Sequence, residues 1–441
     1  MNPNRAATVR ERPTGIPSMR FLSFVIALTI PCFAQAPLRL TLAEAQRLAI
    51  QNNPQFAAAQ STAAAAYQVP NQYRANFQPN MFGSFTSVGA DNGSRLAAGA
   101  LNNPTVYDRV GSGLSISQMI TDFGRTNNLV GMAKLQAEAQ DQNTEDTRAR
   151  ILLAVSQAYF GLLRAQAVMK VADQTVSQRQ VVADQVSALA ESKLKSTLDV
   201  SFANVNLSDA KLLQVQAQND VKTAEAELAT AMGLPGQTGF IVSDEPTPPP
   251  LPDRVNDLIQ QAIQNRPDLK DLQLQQSADV RFAKAEHDLY YPSVGLIGTA
   301  GLVPTGYALV PGRYGAVGLN VTVPIFNGGL FKARQTEAEL KAKAAGQNVN
   351  DLENRIARDV RVAYLNATTA QDRLALTQQL LQQAQLALGL AQTRYDYGLS
   401  SIVELSQAQL NLTSAQIANA TAQYDYQTQR VVVDFQIGAL R

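Results

Sequence analysis

The sequence predicts a mainly α-helical protein with a smaller β-structured part, built from two tandem copies of one unit. The first observation is an internal repeat, since the stretch from Gly113 to Gly233 recurs without a gap from Gly318 to Gly438, 205 positions later (113 to 318). The second is that each copy has stretches in which apolar and polar residues alternate. The third is a long stretch without proline that follows the alternating residues in each copy, over 125–190 and over 330–395. Each copy of such a repeat is usually one structural unit, so the fold is predicted to be duplicated.

The composition excludes several classes of protein. The 441 residues include no Trp, one His (His287) and one Cys (Cys32), and the formal net charge is +1. A metal centre needs several Cys, His or grouped carboxylates, so we expect no metal and no cofactor. A net charge near zero gives no electrostatic reason to expect nucleic acid as a partner. The sequence shows no nucleophile–base pattern of an exported hydrolase, so we expect no enzyme.

Residues 1–34 are predicted to be a signal peptide. Four arginines precede an apolar run from Phe21 to Phe33, which is too short to span a bilayer and has the length of a signal-peptide core. Cleavage is expected after Ala34, with Cys32 and Ala34 at the small-residue positions. Cys32 follows Pro31 rather than a small residue, so lipid attachment to this cysteine is not expected. The mature protein is therefore predicted to be exported and free of cysteine.

Each copy is predicted to begin with helices interrupted by proline. A short helix is expected from Leu42 to Ile50, and Asn52-Asn53-Pro54 ends it because proline lacks the amide that would continue it. An alanine-rich helix is expected from Gln55 to about Ala75. The second copy repeats this pattern from Val255 to His287, with its break at Pro267.

Two strand pairs are predicted, at about 79–122 and at about 292–326. Apolar residues occupy every other position from Val317 to Ile325, and the first copy keeps this phase at Leu114 and Ile116. Period-two runs of about ten residues are typical of tilted strands that cross a bilayer with their apolar face outward. A half-buried strand in a soluble sheet is the alternative. The export signal and the glycine-rich, weakly charged connections favour the membrane.

Four membrane strands per chain have a consequence for assembly. An open sheet edge in a bilayer leaves backbone donors and acceptors unsatisfied at several kcal/mol each, so the sheet must close. About eight strands make the smallest workable barrel. Several chains are therefore predicted to contribute strands to one barrel.

Very long helices are predicted to follow the strands. Apolar residues recur in alternating steps of three and four from Val155 to Ala172, which is a coiled-coil pattern. About 65 residues at ~1.5 Å each give a helix of about 100 Å. A second helix is expected to return to Met232, so one helical hairpin spans about 125–232 and its counterpart spans about 330–437.

The two copies are predicted to be joined by a semi-rigid linker at 240–256. Its core from Pro246 to Pro252 contains five prolines, and proline-rich segments adopt an extended conformation. The first copy is therefore assigned to 35–239 and the second to 257–441.

The order of these features resembles the outer membrane efflux protein family, the TolC-like channels of tripartite exporters. The resemblance is carried by the Asn-x-Pro breaks that begin at Asn52 and Asn265, the strand-to-helix turn Pro324–Gly329 and the hairpin end Tyr397–Ser400. It implies a homotrimer in which twelve strands close one outer-membrane β-barrel and twelve helices form a coiled-coil tunnel across the periplasm. It also implies three kinds of partner, namely a periplasmic adaptor protein, an inner-membrane transporter and the lipid of the outer membrane.

The resemblance implies that the tips of the helical hairpins dock the adaptor. The matching residues are Leu194 and Ser196 in the first copy and Gly398, Leu399 and Ser400 in the second. The first copy departs from the pattern, because Lys193 and Lys195 stand where the second copy has Gly398 and Ser400. The alternative is that both tips are ordinary turns.

The resemblance also implies a periplasmic gate just inside the tips. Tyr395 matches a gate tyrosine, Asp199 matches its aspartate partner, and Glu404 matches the position of a carboxylate ring. The family has a second acidic residue one helical turn later, where this chain has Gln407. Three Glu404 side chains would form one ring of negative charge, which favours cations more weakly than two rings. A solvated glutamate on a helix face is the alternative.

Together these features predict a passive exit duct in the outer membrane, with its helical tunnel in the periplasm. An inner-membrane pump and its adaptor would deliver the substrates, in a tripartite efflux system or a type I secretion system. The alternative function is that of an exported coiled-coil scaffold protein without a pore. That alternative leaves the signal peptide and the strand pairs unexplained.

Overall fold

The computed structural model describes residues 39–89, 91, 109–252, 254–303 and 312–440. The predicted signal peptide, with Cys32, lies outside the described residues. Two copies of one unit follow each other along the described chain, and each contains short helices, a strand pair and a helical hairpin.

The elements of the two copies follow the same order. The first copy contains β1 (Arg39–Leu40), α1 (Leu42–Asn52), α2 (Pro54–Ala66), α3 (Val69–Arg74), β2 (Asn80–Val88), β3 (Arg109–Thr121), α4 (Arg125–Glu191) and α5 (Thr197–Ala231). The second contains β4 (Ile241–Val242), α6 (Val255–Asn265), α7 (Pro267–His287), β5 (Ser293–Leu302), β6 (Arg313–Thr322), α8 (Leu330–Asp396) and α9 (Ile402–Gln436). The long helices α4 and α8 have 67 residues each, so each measures about 100 Å at ~1.5 Å per residue.

One helix of the first copy differs from the prediction. The single helix expected from Gln55 to about Ala75 is wrong, because the chain turns at Tyr67 and Gln68 and begins a new helix, α3. Pro70 gives the physical reason. Inside a continuous helix its ring would clash with the carbonyl four residues earlier, whereas the first turn of a new helix needs no amide at that position.

The four long strands form one antiparallel sheet in the order β2-β3-β5-β6. Asn80 faces Ser117 in the first copy, and the equivalent residues Ser293 and Thr322 face each other in the second. The two strand pairs therefore have the same register, as the repeat requires.

One face of the sheet is apolar and exposed. On β6, Val317, Leu319 and Val321 are 80%, 64% and 53% exposed, and the alternate positions carry small or polar residues. This alternation is typical of strands with one face toward lipid. β6 ends at Thr322, earlier than the alternation to Ile325 indicates, because the proline between them has no N–H for a strand ladder.

Tyr159 lies at the centre of the hydrophobic cluster of the first copy. It is fully buried among residues of α1, α4 and α5, and its hydroxyl donates to the carbonyl oxygen of Ser243 at 2.6 Å and lies 3.0 Å from that of Leu40. Burial and, to a lesser degree, the charge of Glu245 raise the pKa of Tyr159 to about 12. Tyr159 thus fixes the paired strands β1 and β4 to the long helix. A second cluster, around Ile356, joins α6 and α7 to α8 and α9.

The proline-rich linker is held against both copies. The Glu245 carboxylate accepts from the amide of Leu42 at 3.1 Å, and the Glu245 carbonyl accepts from the side chain of Gln427 at 3.0 Å. Arg430 donates to the carbonyl oxygen of Pro249 at 2.9 Å. The linker therefore lies along α9 and connects it to the start of the first copy.

Candidate functional site at the hairpin tips

The two hairpins end in turns with the same backbone conformation. Lys193 and Gly398 hold equivalent positions, with φ of 58° and 72°. The amides of Leu194 and Leu399 each donate to the carbonyl five residues earlier, at 2.9 and 2.7 Å, as in a Schellman motif. Leu194 and Leu399 are 71% and 70% exposed, so each tip has an exposed leucine at the same position of the turn.

Ser196 and Asp199 form the cap of α5. The Ser196 Oγ accepts from the amide of Asp199 at 3.2 Å, while Asp199 Oδ2 accepts from the amide and the hydroxyl of Ser196 at 3.1 and 2.9 Å. This capping box satisfies backbone donors that a helix N-terminus leaves free, and the helix dipole favours a carboxylate there. The carboxylate of Asp199 is therefore engaged within its own chain.

The second hairpin uses the equivalent residues differently. Ser401 caps α9 by accepting from the amide of Glu404 at 3.4 Å. The Glu404 carboxylate turns instead toward α8, where its Oε1 lies 3.2 Å from the Nε of Arg394. Leu189 holds the position of Arg394 in the first copy and cannot form an ion pair. Glu404 thus connects the two helices of its hairpin.

Tyr395 packs between the hairpins near their tips. It contacts a cluster formed by Ala183, Val186, Ala203, Leu207 and Ile402. The Nζ of Lys195 stands 4.3 Å from the centre of its ring, which is a cation–π contact. The hydroxyl of Tyr395 is buried and has no hydrogen-bond partner among the described residues. Asp199 and Tyr395, the pair implied by the resemblance, are therefore not hydrogen-bonded to each other within one chain.

A groove of about 410 Å³ lies beside these residues, between α5 and α9 and over α4. Its floor carries Arg179, which is 6% exposed. The guanidinium donates through Nη1 to the side-chain oxygen of Gln409 and through Nη2 to the carbonyl oxygen of Ser406 at 3.5 Å. Burial lowers the pKa of Arg179, and the charge of Asp209 opposes this effect. Arg179 thus ties the first hairpin to the second.

The predicted site residues lie in one region, together with two cations that sequence reasoning did not assign to the gate. Lys195 covers the ring of Tyr395, and Arg394 pairs with Glu404. Comparison of the two copies of the repeat could have indicated Arg394, since its counterpart in the first copy is the apolar Leu189. The location of Arg179 in the seam between hairpins had no such signal, because it depends on how the hairpins pack.

The chemistry of the tips suits contact with a protein rather than a reaction. Exposed leucines, capped helix ends and ion pairs are its main features. Across the part of the chain that the structure describes, no group of three or more His, Cys, Asp and Glu side chains could hold a metal ion.

Known proteins with similar sequences are channels and secretion proteins of the outer membrane. The family profile described as Outer membrane efflux protein matches residues 45–234 and 258–439. The chain is 23% identical over 443 residues to the outer membrane protein TolC of Escherichia coli, covering 96% of this chain and 87% of TolC. It is 24% identical over 436 residues to the alkaline protease secretion protein AprF of Pseudomonas aeruginosa, covering 95% of this chain and 88% of AprF.

Solved structures show the same fold. The transmembrane channel CusC matches with a TM-score of 0.77 and 18% identity over 90% of this chain and 92% of that one. The open state of the MtrE outer membrane channel of Neisseria gonorrhoeae matches with a TM-score of 0.74 and 20% identity over 91% and 89%. Because the family profile covers most of both copies, the chain belongs to the outer membrane efflux protein family.

Proposed function

We propose that this chain is one subunit of a homotrimeric exit duct, which receives substrates from an inner-membrane pump through a periplasmic adaptor. The family consists of outer-membrane channels of efflux and secretion systems rather than of enzymes. The barrel lies in the outer membrane and the long helices extend into the periplasm. The duct is passive and needs no cofactor, because the pump supplies the energy. The scaffold alternative gives no role to the exposed apolar face of the sheet.

The observation that carries the assembly is a sheet whose two outer strands have one edge each without a partner strand among the described residues. β3 and β5 are the inner strands and β2 and β6 are the outer ones. An edge in a bilayer must be paired. β6 is the repeat counterpart of β3, and β2 is the counterpart of β5. The edge β6 of one subunit can therefore pair with β2 of the next as β3 pairs with β5.

The repeat fixes the register of this pairing between subunits. Within the chain, Ser115 of β3 faces Thr299 of β5. The counterpart of Ser115 is Asn320 of β6, 205 positions later, and that of Thr299 is Thr86 of β2, 213 positions earlier. Asn320 of one subunit is thus expected to face Thr86 of the next.

The helices support the same arrangement. α7 lies between α4 and α8, whereas its counterparts α2 and α3 pack mainly on α4. Leu135 of α4 packs against the cluster that contains Ala278 and Ala285 of α7. The counterpart of Leu135 is Leu340 of α8, which is 61% exposed. Leu340 is suited to pack on the exposed alanine-rich face of α2 of the neighbouring subunit.

A disulfide tests the register directly. The only cysteine of the sequence is Cys32, in the predicted signal peptide, so the double variant Thr86→Cys/Asn320→Cys adds an isolated pair. Facing residues of antiparallel strands have Cα atoms about 4.5–5.5 Å apart, which suits a disulfide. Oxidation of the membrane-embedded protein is expected to give a ladder of covalent products that ends at the trimer in denaturing electrophoresis.

The matched control is Ser115→Cys/Thr299→Cys, the in-chain counterpart of the same pair. Its oxidation is expected to join β3 and β5 within one subunit, so the product migrates as a monomer. A monomeric product from Thr86→Cys/Asn320→Cys, or a ladder that ends at another number of subunits, would contradict the proposed trimer.

The tips are proposed to dock the adaptor through their exposed apolar side chains. The docking set is Leu194, Ser196, Gly398, Leu399 and Ser400. A charge at the centre of an apolar contact is costly unless it is paired. Leu399→Asp and Leu194→Asp are therefore expected to weaken binding of the purified adaptor by at least about tenfold, whereas Lys211→Asp, farther along α5, retains it. Equal binding by all three variants would exclude the tips.

The gate is assigned to Asp199, Tyr395 and Glu404, where the two hairpins approach each other. Removal of the side chains of Asp199 and Tyr395 would widen the entrance and loosen the α5 cap. The double variant Asp199→Ala/Tyr395→Ala is expected to raise single-channel conductance in planar bilayers and the sensitivity of cells to bulky antibiotics. Unchanged conductance would refute the gate assignment.

A further inference from the structure

The carboxylate assigned to the ring at the gate is not a free charge. Glu404 Oε1 lies 3.2 Å from Arg394 Nε, and the two side chains are 44% and 57% exposed. The pair connects the last turn of α8 with the first turn of α9, at the hairpin end that also carries Tyr395. Any charge effect of Glu404 on a passing ion therefore includes that of Arg394.

Comparison of the two copies shows that this pairing is specific to the second hairpin. In the first, Asp199 holds the position of Glu404, and its carboxylate returns to the backbone of Ser196. In the second, no such return bond is made, and the carboxylate is available to Arg394. Leu189 replaces Arg394 in the first copy. The acidic residue near the tip is therefore bound within its own chain in both copies. Asp199 forms a helix cap, and Glu404 forms an ion pair.

Other charged side chains lie in this part of the hairpins. Lys195 stands over the ring of Tyr395, and Asp396, the next residue along α8, accepts from Gln392 at 2.9 Å. Asp199 is the other carboxylate assigned to the gate, and it is held in the cap of α5. Among these groups, Arg394 is the cation that pairs directly with Glu404.

We propose that Arg394 neutralises Glu404, so that the three subunits form a ring of ion pairs and the entrance admits anionic as well as cationic substrates. This inference rests on the proposed trimeric duct and corrects the cation preference expected from the carboxylates alone. A ring of free carboxylates concentrates cations at a pore. An ion pair has no net charge, and its field decreases faster with distance than that of a carboxylate.

Reversal potentials in planar bilayers under a KCl gradient test the inference. The wild-type channel is expected to show little preference between K⁺ and Cl⁻. Arg394→Leu, which introduces the first-copy residue, leaves Glu404 unpaired and is expected to raise the K⁺/Cl⁻ permeability ratio by at least about fivefold, since one unit charge a few ångströms from an ion in a water-like medium changes the concentration of that ion by this factor. Glu404→Gln leaves Arg394 unpaired and is expected to shift the ratio in the opposite direction.

Two further variants separate charge from structural damage. The double variant Arg394→Leu/Glu404→Gln removes both charges and is expected to return the ratio to that of the wild type. Arg355→Leu removes an arginine that pairs with Asp351 on the same helix, roughly 60 Å from Arg394 by helix rise, and is expected to leave the ratio unchanged. A wild-type channel that already prefers cations, or single variants that shift the ratio in the same direction, would overturn the inference. Absence of any conductance would overturn the proposed duct itself.

Discussion

Lys193 and Gly398 hold the same left-handed backbone position at the two hairpin tips, with φ of 58° and 72°. Glycine adopts this conformation without steric cost, whereas a residue with a Cβ loses about 1–2 kcal/mol. We expect Lys193→Gly to stabilise the first hairpin by about 1 kcal/mol and Gly398→Lys to destabilise the second by a similar amount. Thermal unfolding of the detergent-extracted protein measures both changes.

Gly398→Ala is the control for this prediction. A Cβ at Gly398 would meet no atom of the described residues within 4 Å, so this variant changes the backbone preference without a clash and should also be destabilising. A lower melting temperature for Lys193→Gly would mean that a contact of the lysine side chain outweighs the strain.

Arg179 links the hairpins at one seam only, because its repeat counterpart is Ala384. Its partner Gln409 is 8% exposed, so Arg179→Met leaves a buried amide without a hydrogen bond. We expect a loss of about 2 kcal/mol for Arg179→Met and a smaller loss for Arg179→Met/Gln409→Leu, which removes both polar groups. Urea unfolding of the two variants measures the difference. A double variant that is less stable than Arg179→Met would show that the bond is not the source of the loss.

The sequence was sufficient to predict the parts of the fold that depend on local patterns. The absence of proline and the coiled-coil periodicity predicted helices that end near 190 and 395, and α4 and α8 end at Glu191 and Asp396. The alternation of apolar and polar residues is also a local pattern, and it predicted the strands. These features repeat in both copies, so each copy supports the interpretation of the other.

The contacts at the candidate site were less predictable because they depend on tertiary packing. Asp199 and Glu404 are equivalent in sequence, yet one caps a helix and the other pairs with Arg394. Which of these two contacts the acidic residue makes depends on the side chain that the facing helix places opposite it, Leu189 on α4 or Arg394 on α8. The break before Pro70 was visible in the sequence but was outweighed by the alanine-rich composition around it.

The Asn-x-Pro break of the second copy carries an ion pair that the first copy lacks. Arg266 Nη2 lies 2.6 Å from Asp268 Oδ2, and Arg266 Nη1 donates to Gln436 at 2.7 Å. Burial alone would raise the pKa of Asp268, but the hydrogen bonds and charge of Arg266 outweigh burial, so this pKa lies below its ordinary value of 3.8. Asp268 therefore contributes stability that is complete above its unfolded pKa and is lost as pH falls through its lower folded pKa.

Asp268→Asn tests this contribution. The variant is expected to melt at a lower temperature than the wild type at neutral pH, because an amide cannot pair with the guanidinium of Arg266. The difference is expected to shrink as the pH falls below 3.8, the ordinary pKa of the group, where the wild-type carboxylate becomes protonated. Gln55, the first-copy counterpart of Asp268, provides the control variant Gln55→Asn, with no pH-dependent difference. A difference for Asp268→Asn that stays constant with pH would exclude the ion pair as its source.

The buried hydroxyl of Tyr395 has no hydrogen-bond partner within the described chain. Such a group costs about 1–3 kcal/mol. Because the hydroxyl is buried within its own chain, a neighbouring subunit cannot reach it. Tyr395→Phe removes the unpaired hydroxyl and keeps the ring, so it is expected to raise the melting temperature and to leave the single-channel conductance unchanged. Tyr397→Phe, which removes an exposed hydroxyl two residues away, is the control and should leave the melting temperature unchanged. A lower melting temperature for Tyr395→Phe would show that the hydroxyl forms a stabilising bond.

Glu286 and Arg334 form a contact that the first copy makes with apolar residues. The Glu286 side chain is 2% exposed, and its carboxylate lies 2.6 Å from Arg334 Nε and accepts from Arg334 Nη2 at 3.0 Å. The counterparts are Tyr73 and Leu129, which pack in one hydrophobic cluster. The same position between helices thus holds an ion pair in one copy and an apolar pair in the other.

Replacement of one partner should be costly, and replacement of both should not. Arg334→Leu leaves the buried Glu286 carboxylate unpaired and is expected to destabilise the protein by about 3 kcal/mol. Glu286→Tyr should cost less, because the side chain of Arg334 is 43% exposed and can reach water. The double variant Glu286→Tyr/Arg334→Leu introduces the first-copy pair and should recover most of the loss, since a well-packed apolar pair can replace a buried ion pair. Unfolding measurements on the three variants complete the cycle, and additive losses would show that the two side chains do not interact.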